Sequence, residues 1–122
     1  MAQKILIIED DQQYLDILSR KLQHAGYAVV EAHDGNEALV KLESDGIDLI
    51  LLDLLMPKMS GWNFMYKLKD TKHKSTPVVI LTNLNQGSYP NEPVVVLDYL
   101  VKSNTSLDDV VGKIDKYLGQ KG

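Results

Sequence analysis

Cysteine is absent from this chain of 122 residues, and arginine and lysine together are fewer than the acidic residues. Without cysteine there is no disulfide, no thiolate metal ligand and no cysteine nucleophile, which fits a reducing compartment, so we expect a cytoplasmic protein. Binding to nucleic-acid phosphates needs a basic face. Since the formal net charge is −4, we expect no direct contact with nucleic acid.

Long apolar runs are also missing. No stretch approaches the roughly 20 apolar residues of a membrane-spanning helix. The N-terminal sequence MAQKILIIEDD has too short an apolar segment for a signal peptide, so we expect no membrane association. The length and the 44% hydrophobic content are ordinary for one globular domain, and we treat residues 1–122 as one domain.

Short apolar runs alternate with segments of helical period. The predicted strands are Lys4–Ile8, Tyr27–Val30, Ile47–Leu52, Pro77–Thr82 and Val95–Val101. The predicted helices are Gln12–Ala25, a short helix capped by Asp34, Ser60–Lys69, and a last helix along Leu107–Leu118 capped by Ser106. This alternation predicts an α/β fold with a parallel sheet that is covered by helices on both faces. The third strand is the most apolar, which favours a position near the sheet centre.

Polar residues follow four of the predicted strands. In a sheet of this kind, sites form at the carboxyl ends of the strands, where the sequence has Glu9, Asp10, Asp11, Asp53, Thr82, Asn83 and Lys102. Four carboxylates at one edge repel one another, so either their protonation is shifted or a cation is bound. Mg²⁺ suits the second option, because it prefers oxygen ligands and is held by few carboxylates. An aspartate could then act as a nucleophile towards a phosphoryl group, with the lysine neutralising its charge.

Taken singly, several of these residues have ordinary structural explanations. Asp10 and Asp11 could complement the dipole of a helix N-terminus, and threonine is a common strand residue. Asp53 is harder to explain in this way, because nothing structural requires an acid at the end of a strand rich in leucine. The combination of four strand ends favours a phosphoryl-transfer site.

The residues at these strand ends also carry a resemblance to a known family. The sequence resembles the receiver domain of two-component response regulators in IIEDD up to Asp11, DLLMPKMSG from Asp53 to Gly61, VILT up to Thr82, and DYLVK from Asp98 to Lys102. The resemblance covers nearly the whole chain apart from residues 85–97. It implies a flavodoxin-like, doubly wound five-stranded parallel sheet of order 2-1-3-4-5, with helices on both faces.

The resemblance also implies a function. A single-domain receiver would be phosphorylated by a sensor histidine kinase or a histidine phosphotransfer protein in a Mg²⁺-dependent reaction. It would signal to a downstream protein as a monomer or weak homodimer. Such a domain is not an enzyme beyond catalysing its own phosphorylation and dephosphorylation.

Residue roles follow from the same resemblance. Asp53 would accept the phosphoryl group, and Glu9 and Asp10 would form an acidic pair, with Asp10 a direct metal ligand. Asp53 and the backbone carbonyl of Leu55 would complete the metal site. Lys102 would bind a phosphoryl oxygen, and Thr82 and Tyr99 would form a conformational switch pair.

Three positions depart from the usual receiver pattern. Asn83 replaces a small residue, which should narrow access to Asp53, and Ser103 follows Lys102 where proline is common. Residues 84–97 contain Gly87, Pro90 and Pro93, which oppose an intact helix. We therefore predict that the fourth helix of the family is truncated or irregular here.

Three further hypotheses concern the chemistry and the role of the site. Leu55 and Leu84 cannot orient water, so we predict slow loss of an aspartyl phosphate. The damaged fourth helix leaves open an alternative function as a phosphorylation-independent, receiver-like interaction module. An aspartate-nucleophile phosphatase is less favoured, because Leu55 stands where such enzymes usually have a second acid.

Overall fold

Five strands and four α-helices make up most of the described chain. The computed structural model describes residues 2–43, 46–83 and 93–119. In chain order the elements are β1 Lys4–Ile8, α1 Gln12–His24, β2 Ala28–Ala32, α2 Gly35–Lys41, β3 Ile47–Leu52, α3 Gly61–Leu68, β4 Val78–Thr82, β5 Val96–Val101 and α4 Leu107–Leu118. A 3₁₀ turn, Lys102–Asn104, lies between β5 and α4. No helix within the described ranges is long and apolar enough to cross a membrane.

All strands pair in parallel, in the order β2-β1-β3-β4-β5. The predicted fold class and strand order are therefore confirmed, and the most apolar strand, β3, is central. Successive side chains of a strand point to opposite faces of the sheet. Because helices cover both faces, the inner strands are buried on both sides. On one face Leu6, Ile50 and Ile80 pack with α2 and α3. On the other face residues such as Ile5 and Leu49 pack with α1 and α4.

Side-chain caps begin each of the four helices. The carboxylate of Asp34 accepts a hydrogen bond from Glu37 N, and the hydroxyl of Ser106 accepts one from Asp109 N, as predicted. Ser60 does not belong to α3 but caps it through Asn63 N. Capping satisfies backbone N–H groups that have no partner within the helix.

Strand β2 extends two residues beyond its predicted end. The predicted strand ended at Val30, and the next residue, Glu31, is charged. In the structure Ser19 Oγ donates a hydrogen bond to Glu31 Oε2 at 2.6 Å. A partly buried carboxylate is tolerated in this edge strand because a neighbouring helix supplies the donor.

The prediction about the fourth helix of the family concerns residues 84–97, of which 84–92 lie outside the described residues. Pro93 and Val94 are irregular backbone, and Val78 N donates to Val95 O at 2.8 Å just before β5 begins. The described residues contain no cis peptide bond, so the bond between Lys102 and Ser103 is trans.

Gly61, the first residue of α3, lies against the loop that follows β3. A Cβ atom at this position would be 2.7 Å from Leu54 Cα and 2.9 Å from Asp53 O. Gly61 N donates a hydrogen bond to Leu54 O at 3.0 Å. Only a residue without a side chain lets α3 approach the Asp53 loop this closely.

Replacing Gly61 by alanine should therefore destabilise the protein. The added Cβ meets backbone atoms, which cannot move away cheaply, and we expect a loss of about 1–3 kcal/mol in the free energy of unfolding. Gly112→Ala is a matched control, because a Cβ within α4 at that position meets nothing within 4 Å. It should stabilise the protein by about 0.5–1 kcal/mol. Urea unfolding measures both, and equal effects of the two substitutions would contradict the proposed close approach.

Candidate functional site

Glu9 and Asp53 are held side by side by backbone hydrogen bonds that continue past the ends of their strands. Glu9 N donates to Ala32 O at 2.9 Å, and Asp53 N donates to Ile8 O at 3.2 Å. Glu9 therefore follows β1 and Asp53 follows β3 at the same edge of the sheet. The expectation that the strand ends converge is met for this pair.

The carboxylate of Asp53 is buried and hydrogen-bonded on both oxygens. Its residue exposure is 6%. Oδ1 accepts hydrogen bonds from Thr82 Oγ1 at 2.7 Å and from Leu55 N at 3.0 Å, and Oδ2 accepts one from Lys102 Nζ at 3.0 Å. Three donors thus replace the water that burial removes, which explains how a charge is kept beside an apolar strand.

Lys102 bridges two buried carboxylates. Besides Asp53, its ammonium forms an ion pair with Glu9 Oε1, and Glu9 Oε2 accepts a hydrogen bond from Asp11 N at 3.0 Å. The ammonium also lies 4.6 Å from the centre of the Tyr14 ring. The first residue after β5 thus reaches the ends of both β1 and β3.

Burial and pairing compete at this ion pair. Burial raises the pKa of Glu9 above its ordinary value, although the hydrogen bond from Lys102 acts in the opposite direction. At Lys102 burial alone would lower the pKa, but hydrogen bonds to Glu9 and Asp53 outweigh it and the pKa is raised. Lys102 gains two anionic partners, whereas Glu9 gains one cation and has Asp53 as a like-charged neighbour. This difference explains why burial dominates at Glu9 only.

Three of the four predicted carboxylates form a cluster. One oxygen from each of Glu9, Asp10 and Asp53 lies within 4.8 Å of the others, and Asp10 is exposed. Asp11 is not part of this group: its carboxylate accepts hydrogen bonds from Gln13 N and Tyr14 N and caps α1. When ionised, the three carboxylates and one ammonium carry three negative charges and one positive charge, which leaves two negative charges. An all-oxygen donor set of this charge fits Mg²⁺.

The predicted switch residues occupy different environments. Thr82 is fully buried and contacts Asp53 directly. Tyr99 is partly buried and packs against the core between the sheet and α2–α3. Its backbone N–H donates to Asp98 Oδ1 at 2.8 Å, and Asp98 Oδ2 accepts a hydrogen bond from the Tyr117 hydroxyl at 2.5 Å. Asp98 therefore connects β5, next to Tyr99, with α4.

Two residues contact the site in ways that sequence reasoning did not predict. Asn83 Oδ1 accepts a hydrogen bond from Ser103 N at 3.1 Å, so its side chain connects the end of β4 to the turn that begins at Lys102. That Asn83 narrows access to the Asp53 carboxylate stays a prediction.

Tyr14 is the second of these residues, and its ring lies beneath the Lys102 ammonium. Its position in the first turn of α1, three residues after Asp11, was the available signal.

Comparison with known proteins identifies the family. A family described as the response regulator receiver domain matches residues 5–112. This chain belongs to that family. The resemblance seen in the sequence is thus confirmed over most of the receiver domain, including the segments that carry Glu9, Asp53, Thr82 and Lys102.

Individual receiver proteins agree in fold and in sequence. The transcriptional regulatory protein CpxR of Escherichia coli K12 is 43% identical over 79 residues, which cover 65% of this chain and 33% of CpxR. This chain thus spans about a third of the length of that regulator. The chemotaxis protein CheY4 of Vibrio cholerae is 29% identical with a TM-score of 0.84, covering 95% of this chain and 98% of CheY4. Response regulator TrrA of Thermotoga maritima, solved in complex with Mg²⁺-BeF, is 29% identical with a TM-score of 0.80 and the same coverage.

The raised pKa of Glu9 predicts that this residue lowers the free energy of unfolding as pH rises. A carboxyl whose pKa is higher in the folded than in the unfolded protein contributes stability below its unfolded pKa, about 4.5, and loses that contribution as pH rises through the folded pKa. In the presence of EDTA, the free energy of unfolding of the wild type relative to Glu9→Gln should therefore fall as pH rises above about 4.5.

The measurement is urea unfolding of both proteins between acidic and neutral pH. Glu43→Gln removes the same charge from an exposed position and serves as the control for net charge. A wild type that gains stability over Glu9→Gln as pH rises would mean that pairing with Lys102 dominates at Glu9, contrary to our interpretation.

Proposed function

We propose that this receiver domain accepts a phosphoryl group on Asp53 from the phosphohistidine of a histidine kinase or phosphotransfer protein. The observation that carries the proposal is the environment of Asp53. Its carboxylate lies at the carboxyl edge of the sheet, with the Lys102 ammonium, the Thr82 hydroxyl and the Leu55 N–H group directed at it. These are donors that can also meet the oxygens of a phosphoryl group on the same carboxylate.

The proposed reaction is a phosphoryl transfer between two side chains. An oxygen of Asp53 attacks phosphorus as the phosphorus–nitrogen bond of the donor breaks, and the imidazole leaves with the electron pair. The product is an acyl phosphate. Lys102 and Thr82 would transfer their hydrogen bonds from the carboxylate to phosphoryl oxygens, so the chain holds the donors in place before the reaction begins.

The acidic cluster would hold Mg²⁺ for this transfer. Glu9, Asp10 and Asp53 supply carboxylate oxygens close to one another, and the carbonyl of Leu55 is proposed as a further ligand. When bound, Mg²⁺ neutralises negative charge on the transferred group. The similarity to TrrA, whose structure contains Mg²⁺-BeF, supports the assignment.

The switch would follow from the position of Thr82. Its hydroxyl donates to Asp53 in the structure described here, and a phosphoryl oxygen on Asp53 would compete for that donor. A shift of Thr82 towards the phosphoryl group would free space for the partly buried Tyr99 ring to turn inward. Phosphorylation would then change the populations of two existing surface conformations.

The proposed unit is one receiver domain that acts through protein contacts. We propose that residues 1–122 work as one domain in the cytoplasm, as a monomer or weak homodimer. Its catalysis would be limited to its own phosphorylation and dephosphorylation. The acidic surface, with a net charge of −4, gives no support to direct nucleic-acid binding, so the downstream partner would be a protein.

Acetyl phosphate with Mg²⁺ should add one phosphoryl group to the wild type and none to Asp53→Asn. Asparagine keeps the size of the side chain and its acceptor oxygen but cannot form the acyl phosphate. Intact-protein mass spectrometry detects the modification. Asp34→Asn is a suitable control, since it changes an aspartate that caps α2 and should be phosphorylated like the wild type. An unmodified wild type would instead favour the phosphorylation-independent interaction module.

The aspartyl phosphate should be lost slowly, with a half-life much longer than seconds. Leu55 is half exposed beside Asp53 and cannot orient an attacking water molecule. Leu55→Asn should therefore accelerate dephosphorylation several-fold, because an amide can position water. The decay of the phosphorylated mass after removal of acetyl phosphate gives the rate.

Val40→Asn makes a comparable apolar-to-amide change at an exposed position of α2, outside the acidic cluster, and should leave the rate unchanged. A wild-type half-life of seconds, or equal rates for Leu55→Asn and the wild type, would refute the role given to Leu55.

A further inference from the structure

The aromatic ring of Tyr14 lies directly against the Lys102 ammonium. The distance from Nζ to the ring centre is 4.6 Å, within the range of a favourable cation–π interaction. Tyr14 is in the first turn of α1, four residues after Asp10 of the acidic cluster. The ring is thus placed by a helix whose start is fixed by the Asp11 cap.

Hydrogen bonding does not account for a tyrosine at this position. The Tyr14 hydroxyl is buried and has no hydrogen-bond partner among the described residues. A buried hydroxyl without a partner destabilises the fold compared with phenylalanine at the same place. The Tyr14 ring packs against the core between the sheet and α1 and α4, and Lys102 lies over its face.

The other two contacts of the ammonium are with carboxylates that could also bind a metal ion. Glu9 and Asp53 are its two anionic partners, and both belong to the cluster that fits a divalent cation. A metal ion at that cluster would draw on the same carboxylate oxygens. Within the described part of the chain, the ring face of Tyr14 is the one attraction for Lys102 that carries no charge and does not compete for the metal.

We propose that Tyr14 is a positioning residue, which holds the Lys102 ammonium at Asp53 through its ring face when the carboxylates are engaged by a metal ion. Lys102 is then kept in place to meet the phosphoryl oxygens. This inference rests on the proposed phosphorylation of Asp53. The ring supplies the contact, and the hydroxyl group is not required for it.

The test compares Tyr14→Phe, which keeps the ring, with Tyr14→Leu, which keeps apolar volume without a ring. The chain offers a matched control: Tyr66 also has a lysine, Lys69, over its ring at 5.4 Å, but it is exposed on α3. Tyr66→Leu therefore removes the same chemical group away from the site. Urea unfolding first establishes that every variant is folded under the assay conditions; if Tyr14→Leu is not, Tyr14→Met takes its place.

Two readouts are measured for each protein. The first is the NMR chemical shift of the Lys102 ε-methylene protons, with and without saturating Mg²⁺. The ring current of the aromatic side chain at position 14 should move these protons upfield in the wild type and in Tyr14→Phe, with Mg²⁺ present, but not in Tyr14→Leu.

The second readout is the rate constant of phosphorylation by acetyl phosphate at saturating Mg²⁺. It should fall roughly 2- to 30-fold in Tyr14→Leu, the range expected for loss of a cation–π contact, and stay near the wild-type value in Tyr14→Phe and Tyr66→Leu.

Each outcome decides the proposal. A folded Tyr14→Leu protein that is phosphorylated at the wild-type rate would overturn it, as would a wild type in which Mg²⁺ abolishes the upfield shift. A role in packing alone would lower the stability of Tyr14→Leu without changing its rate constant of phosphorylation, and would overturn the proposal. If the wild type takes no phosphoryl group, the proposed function fails. The chemical shifts then test the placement of Lys102 independently. An upfield shift of its ε-methylene protons that persists with Mg²⁺ supports the placement by Tyr14, and loss of that shift overturns it.

Discussion

The ion pairs of Lys102 with Glu9 and Asp53 are the interaction on which this site depends. Both carboxylates are almost completely buried, and neither could remain ionised there without a cation and hydrogen-bond donors. Lys102 is 49 residues away from Asp53 along the chain. It reaches Asp53 only because β1, β3 and β5 run in parallel and end at the same edge. The sheet topology therefore determines the charge balance of the site.

The same edge combines rigid support with unbalanced charge. Hydrogen bonds of Glu9 and Asp53 to neighbouring strands fix the backbone, and Gly61 brings α3 against the Asp53 loop. Onto this support the chain places three carboxylates and one ammonium. Burial raises the pKa of Glu9 even with Lys102 beside it. The ionised carboxylates at this edge repel one another, so the edge is suited to binding a cation, which relieves the repulsion.

Most of the fold could be predicted from the sequence, since buried strands and amphipathic helices have distinct periods. The largest deviation in a strand lies where another element supplies a partner. Strand β2 continues through Glu31 because Ser19 of α1 donates to its carboxylate. Asp11 and Asp10 are identical in type and adjacent in sequence, yet one caps α1 and the other joins the cluster. The contact of Ser19 with Glu31 and the approach of Asp10 to Asp53 depend on distances between elements, which a local pattern does not contain.

By itself the sequence determined the α/β class, the family resemblance, and the residue types at the strand ends, because hydrophobic period and side-chain chemistry are local properties. Only the tertiary structure decided which of those side chains meet. It placed Lys102 between Glu9 and Asp53, directed Thr82 at Asp53, and set the Tyr14 ring against the ammonium. The physical reason is that these contacts join residues on different strands and helices, so that they exist only once the register of the sheet and the packing of α1 are established.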